Sequence, residues 1–236
     1  MAKRTLLEMV QNILSSIDAD EVNSIGDTIE SQQVAEVIRT CYFEMMGNRN
    51  WPHLKKLIQL DTSNDVSKPN YLKLPERLKE LSFFKYEQTS TSNNTIGYVD
   101  VKYLHPDEFL RVVSSRSVSN TDVTSVTDFS GVKLYIQNNK APSYWTSFDD
   151  VYLVTDSYDE SDDDTLKGTK TQCVAYLEPV WTHDDSFIPD LPMDAFPALL
   201  EESRSTASIE IKQMVNQKSE QKAGRQQRWL ARKAWR

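Results

Sequence analysis

Three textures follow one another along this chain, and their order constrains the fold more than any single motif. Between Leu6 and Met45 the apolar residues recur at helical spacing. Leu6, Val10, Ile13, Leu14 and Ile17 line one face of a first predicted helix. Val34, Val37, Ile38, Cys41, Tyr42 and Met45 line one face of a second. Asp27 or Thr28 can cap the second helix at its start, and Gly47 suits a left-handed stop. Residues 1–56 are therefore predicted to form a helical hairpin. From 57 to 181 the pattern changes to short runs rich in β-branched and aromatic residues, such as "YLKL", "GYVDVKYL", "VKLYIQ", "SYWTSF", "DVYLVTDSY" and "TQCVAYLEPVW". Those are strand signals. They are interrupted by one short helix in "HPDEFLRVV", where Pro106 stands at the first helical position and acids fill the first turn. Residues 89–95 read as a loop, and "SSRSVSNTDVTSVTDFSG" as a polar connector. Residues 182–197 form a linker broken by Pro189, Pro192 and Pro197. No proline follows, so 198–236 is predicted as one long helix of roughly 55–60 Å. The fold class expected is α+β: a helical bundle, made of the N-terminal hairpin and the long C-terminal helix, with an inserted, mainly antiparallel β-domain.

The far end of that helix is unlike the rest of the chain. The protein carries 27 Lys+Arg and 35 Asp+Glu, a net charge of -8. The segment "KSEQKAGRQQRWLARKAWR", 218–236, holds seven bases and one acid. It therefore carries +6 on a body of -14. Such asymmetry points to an interaction segment. At 100° per residue all seven bases fall within an arc of about 140°, Trp229 falls inside it, and Glu220 falls on the opposite side. Cations near a helix C-terminus are favoured by the macrodipole and can be simply solvated. A solvated end does not require its cations on one face or two tryptophans among them, whereas Trp and Arg are common interface anchors. The candidate partner-binding residues are Lys222, Arg225, Arg228, Trp229, Arg232, Lys233, Trp235 and Arg236. They suit an acidic protein groove or a phosphate backbone. From Asn216 to Gln227 the only apolar side chain is Ala223, so this half is expected to project from the body, with Gly224 as a weak point.

Other chemistry is hard to place. The run "DSYDESDDD", Asp156–Asp164, lacks the glycine and distal glutamate of a calcium loop. It reads as a solvated loop, or as an acidic patch that meets the basic segment of a neighbouring copy. His53, His105 and His183 are scattered, with "THDD" around His183 a weak metal candidate. Adjacent carboxylates such as Asp149 and Asp150 are common and do not by themselves make a glycosidase. The chain has no Cys-x-x-Cys, His-x-x-x-His, Gly-rich phosphate loop or Gly-x-Ser-x-Gly. No enzymatic activity, metal or cofactor is expected. Cys41 and Cys173, the only cysteines, suggest a reduced setting, and no signal peptide or membrane span is read.

Several segments together resemble the head-to-tail adaptor proteins of short-tailed bacteriophages, the tail tubular protein A type. They are the helical pair ending in "MMGNRNW", the turn in "YLKLPERLKEL", the stretch "APSYWTSFDDVYLVTDSYD" and the terminal "RQQRWLARKAWR". The resemblance implies a structural virion protein at the head–tail junction, made in the bacterial host cytoplasm. It implies a twelve-copy homo-oligomeric ring between the portal protein and a tail or nozzle protein, with genomic DNA passing through the channel without sequence-specific contact. It also implies that the C-terminal segment reaches toward the portal. The competing reading is a nucleic-acid-binding module that uses the Arg/Trp helix.

Overall fold

The structure is a computed structural model that describes residues 3–90 and 95–233. The chain is mixed α+β and divides into two compact units. One comprises Met1–Leu54 with Pro179–Arg236, and the other Lys55–Glu178.

The first unit is helical. Helix α1 (Leu6–Ser16) opens on a capping box. The Thr5 hydroxyl accepts from Glu8 N at 3.2 Å, and the Glu8 carboxylate accepts from Thr5 N at 3.0 Å. Its apolar stripe Leu6, Met9, Val10, Ile13 and Leu14 is buried. Helix α2 (Ile29–Gly47) is capped by Thr28, whose hydroxyl accepts from Ser31 N at 3.0 Å. Asp27 instead braces the preceding turn, accepting from Asn23 N and Ser24 N at 2.8 and 2.9 Å. The left-handed stop expected at Gly47 does not occur: the helix continues in right-handed geometry into Asn48. The linker expected at 182–197 is tied to this unit, and its last two residues, Phe196 and Pro197, already belong to the next helix. Leu6 N donates to Phe187 O at 2.7 Å, the Tyr42 hydroxyl donates to Asp190 O at 3.3 Å, and Trp181 packs 5.4 Å from Tyr42.

The single long C-terminal helix expected from the sequence is two helices, α4 (Phe196–Lys212) and α5 (Gln217–Lys233). The break is not at Gly224 but at Gln213, which is left-handed at φ 54°, while Met214 N donates back to Ser208 O at 3.0 Å. The Asn216 side chain then restarts the helix by accepting from Ser219 N at 3.1 Å. Helix α5 does not project. It packs on α4, with Lys222 Nζ 3.3 Å from Glu201 and Gln227 Nε2 3.0 Å from Glu202. Helix α4 in turn packs on α1 and α2.

The second unit is built on an eight-stranded sheet. Its strands are β1 (Lys55–Ile58), β2 (Asp61–Thr62), β3 (Tyr71–Lys73), β4 (Leu78–Ser90), β5 (Thr95–Tyr103), β8 (Tyr144–Thr146), β9 (Tyr152–Thr155) and β10 (Thr171–Leu177). Strands β6 (Val123–Thr127) and β7 (Lys133–Gln137) form a separate hairpin. The order is β1-β10-β4-β5-β8-β9-β3-β2, antiparallel except at β5–β8. Strands β1 and β2 are the two ends of that order, yet only Gln59 and Leu60 separate them in sequence. The sheet must therefore curl until its edges meet. Leu60 is buried at the seam, and Gly168 passes so close that an added Cβ would lie 2.1 Å from Leu60 O. The curl encloses Tyr71, Leu72, Phe84, Val101 and Leu153. Helix α3 (Pro106–Ser114) adds Phe109 and Val113 to that core.

Three expectations for this unit are corrected. The loop expected at 89–95 shrinks, because β4 runs to Ser90 and β5 starts at Thr95, with 91–94 outside the described residues. The polar connector contains β6, whose Val126 is buried while its Ser and Thr neighbours look outward. The acidic run is not merely solvated. Asp156 is buried, pairs with Arg116 at 2.7 Å and accepts from Tyr144 N at 2.8 Å. Lys170 joins Asp162 and Asp163 at 2.7 and 2.6 Å. Burial alone would lower the Lys170 pKa, but the bonds to these two carboxylates outweigh it and hold the ammonium above its usual range.

Candidate functional site

Folding α5 onto α4 decides which face of the basic segment meets solvent. On α5 the buried positions are Ser219, Ala223 and Leu230. On a helical wheel they cluster about 130° away from the centre of the basic arc. The seam is made mostly of small residues, which lets two polar helices approach closely, and it leaves most of the basic arc facing solvent while Lys222 at its edge reaches Glu201 of α4. The feature that motivated the sequence reading therefore survives the correction, but on a docked helix.

The predicted residues that the structure describes are placed as follows. Lys222 is held by Glu201, which also takes Arg204 at 3.2 Å, so its charge is partly neutralised within the unit. Arg225 and Arg232 are exposed and make no hydrogen bond or ion pair among the described residues. Arg228 is exposed, and its Nε donates to Gly224 O one turn back at 3.0 Å. Trp229 is 50% exposed. Lys233 ends α5. Trp235 and Arg236 lie outside the described residues. The structure thus brings Lys222, Arg225 and Trp229 to one wall of an open groove of about 990 Å³, whose other wall is Met193, Asp194, Pro197 and Glu201. Arg228 and Arg232 lie on the same arc but do not line the groove.

The groove is amphipathic. Met193, half-exposed, and Pro197 supply apolar surface beside the Trp229 ring, and the charged lining is mixed, Lys222 and Arg225 against Asp194 and Glu201. Glu202, partly buried near Glu44 and Glu220, has its pKa raised by burial first and then by those two acids. The sequence reading missed Met193, Pro197 and Glu201, because nothing local says that the segment before α4 and the start of α5 face each other. The available signal was the pair of small residues Ser219 and Ala223, one turn apart, with Leu230 on the same face.

The weaker candidates have structural roles. His183 Nε2 lies 2.9 Å from Glu36, and its ring meets Trp181 edge-on. No group of three or more His, Cys, Asp or Glu could hold a metal among the described residues. Asp149 caps a turn by accepting from Val151 N and Tyr152 N at 3.0 and 2.9 Å, and Asp150 is left-handed at φ 57°. Both thiols are buried, and burial pushes the Cys173 pKa up to about 12. No helix among the described residues is long and apolar enough to cross a membrane. Comparison with protein-family models and with curated proteins returned no match.

Proposed function

We propose that this protein is a structural connector of a virion, a head-to-tail adaptor. It joins a portal to a tail or nozzle through a ring of copies and presents the basic face of α5 to the portal. The helical unit, α1, α2 and α4 with α5 on it, serves as the docking body, and the β-unit, interrupting it in sequence, as an inserted domain. The observation that carries the reading is the arc of Arg225, Arg228, Trp229 and Arg232. It is exposed beside the seam and is borne by a body of opposite charge. A face of arginines around a half-exposed tryptophan is the composition of an interface anchor. The resemblance in sequence supplies the portal as the partner.

On this reading the arginines steer the encounter and Trp229 holds the complex. Exposed ion pairs are worth about 0–1 kcal/mol each, whereas an aromatic anchor costs about 2 kcal/mol or more when truncated. Trp229→Ala should therefore reduce co-sedimentation with portal-bearing heads at least tenfold, and Arg232→Ala by less. Equal losses for the two variants would refute the division of roles. The same arc can meet phosphate, so binding to duplex DNA should be measured across a salt series. A steep fall in log affinity with log salt, together with undiminished heads binding by Trp229→Ala, would replace the adaptor reading by the nucleic-acid one.

A further inference from the structure

The β-unit carries a second site that the adaptor reading does not use. Between the tip of the β6–β7 hairpin, the β8–β9 turn and α3 lies a cavity of about 290 Å³. That is at the small end of ligand sites, about enough for one large side chain. Its walls are aromatic. Phe129 stacks on Tyr152 with centroids 4.8 Å apart, and Tyr71 meets both edge-on at 5.8 and 6.2 Å. The hairpin leaves Phe129 56% and Val132 53% exposed, although both are apolar, and Phe148 is exposed beside them. Lys68 lies 4.3 Å from the Phe129 centroid and is itself paired with Asp65 at 3.2 Å.

The cavity also carries two carboxylates, Asp128 and Asp149. Asp128 accepts from the Tyr71 hydroxyl at 2.6 Å and from Ser130 N at 2.8 Å. Although burial works against it, the bonds from Ser130, Tyr71 and Phe129 N keep its pKa below the usual range. Asp149 takes its turn-capping bonds from Val151 N and Tyr152 N on Oδ1 alone. Aromatic walls with fixed negative charge at the rim select a cationic or aromatic side chain, above all one beside the other.

We infer that this cavity receives the C-terminal residues of a second copy of the chain, with Trp235 between the aromatic walls and Arg236 against Asp149. The occupant follows from composition and charge. The one segment of +6 on a body of -14 ends in "KAWR", a large aromatic flanked by cations. The contact is heterologous, tail to cavity, so each copy offers both halves and association can continue from copy to copy. It goes beyond the adaptor reading and needs no portal.

The test uses the full chain, a chain ending at Lys233, and a labelled peptide of residues 228–236. By sedimentation the full chain should self-associate with rising concentration and the shortened chain should not. The peptide should bind the shortened chain. That affinity should fall at least tenfold in Phe129→Ala, which removes the shelf, and in Val132→Lys, which adds a repelling cation while leaving every hydrogen bond in place. A peptide with Trp235→Ala should bind at least tenfold more weakly. Failure of the peptide to bind would overturn the inference. So would undiminished binding by both variants, which would put the peptide elsewhere. If the full chain stays monomeric yet excludes the peptide, its own terminus occupies the cavity and the second copy is wrong.

Discussion

Leu230 tests the central correction to the sequence reading, that α5 is docked and not projecting. Among the described residues it is the large apolar side chain of α5 in the seam, 4% exposed, with Ser219 and Ala223 buried beside it. Truncating a buried leucine costs about 2–5 kcal/mol. A seam of small residues near the surface can partly collapse, so about 2–3 kcal/mol is expected for Leu230→Ala. That loss should fall on α5 alone. A helix of 17 residues is marginal in isolation, and the rest of the unit keeps its core in α1, α2 and the start of α4. The variant should therefore open locally before it unfolds globally. At about 1.36 kcal/mol per factor of ten, hydrogen exchange of α5 amides should quicken roughly 30- to 150-fold. Amides of α2 should be little changed, and the main thermal transition should stay in place. Arg232→Ala, on the exposed arc, should leave α5 exchange within a few-fold of the parent. If α5 already exchanges at the rate of an unstructured peptide in the parent, and Leu230→Ala changes nothing, the helix projects and the seam is wrong. A large drop in the main transition would instead make α5 part of the core of its unit.

Two further outcomes check the β-unit. Gly168→Ala should destabilise by about 1–3 kcal/mol or more, because its Cβ would meet the Leu60 carbonyl, backbone that cannot swing aside; a thermal midpoint equal to the parent's would show that the seam yields. Asp128, with its pKa depressed, adds stability that is fully present above the unfolded value near 4 and fades as pH falls through the lower folded value. Asp128→Asn should therefore flatten the acid limb of a urea-midpoint series between pH 6 and 2, and an unchanged limb would remove Asp128 from the acid response.

Much of the α+β character was legible because its signals are local. Leu6, Val10, Ile13 and Leu14 recur at helical spacing in α1, Pro106 opens α3, and β-branched and aromatic residues mark β7 and β10. What was not legible depends on distant partners. In β6 the buried Val126 sits among Thr and Ser, so its period is faint, and only pairing with β7 makes it a strand. Asp156 reads as one more acid of a run until Arg116, forty residues away, neutralises it. The sheet order was equally hidden, since the curl follows from β1 and β2 lying at opposite ends of one sheet. At the candidate site the arc itself was readable, being a property of one helix. The break at Gln213 was not. No glycine or proline marks it, and a left-handed glutamine is an uncommon solution, stabilised here by the return bond from Met214 N to Ser208 O.

The break changes how the basic face can work. A projecting helix, polar on every side, would fray, and a partner would have to order it on binding at a cost in conformational entropy. Docked on α4, the arc of Arg225, Arg228, Trp229 and Arg232 is ordered beforehand, and Glu201 already fixes Lys222 beside it. Preorganisation of this kind favours affinity over reach. It also couples the two: whatever loosens the seam at Ala223 or Leu230 disperses the arc, even though neither residue belongs to it. On the proposed adaptor function, a variant weakened in docking is informative about the arc only when α5 amides remain protected. Trp229→Ala, which leaves the buried seam intact, is the cleaner probe, whereas removing 225–236 takes Leu230 with it and would confound the loss of a docking face with the loss of the helix that bears it.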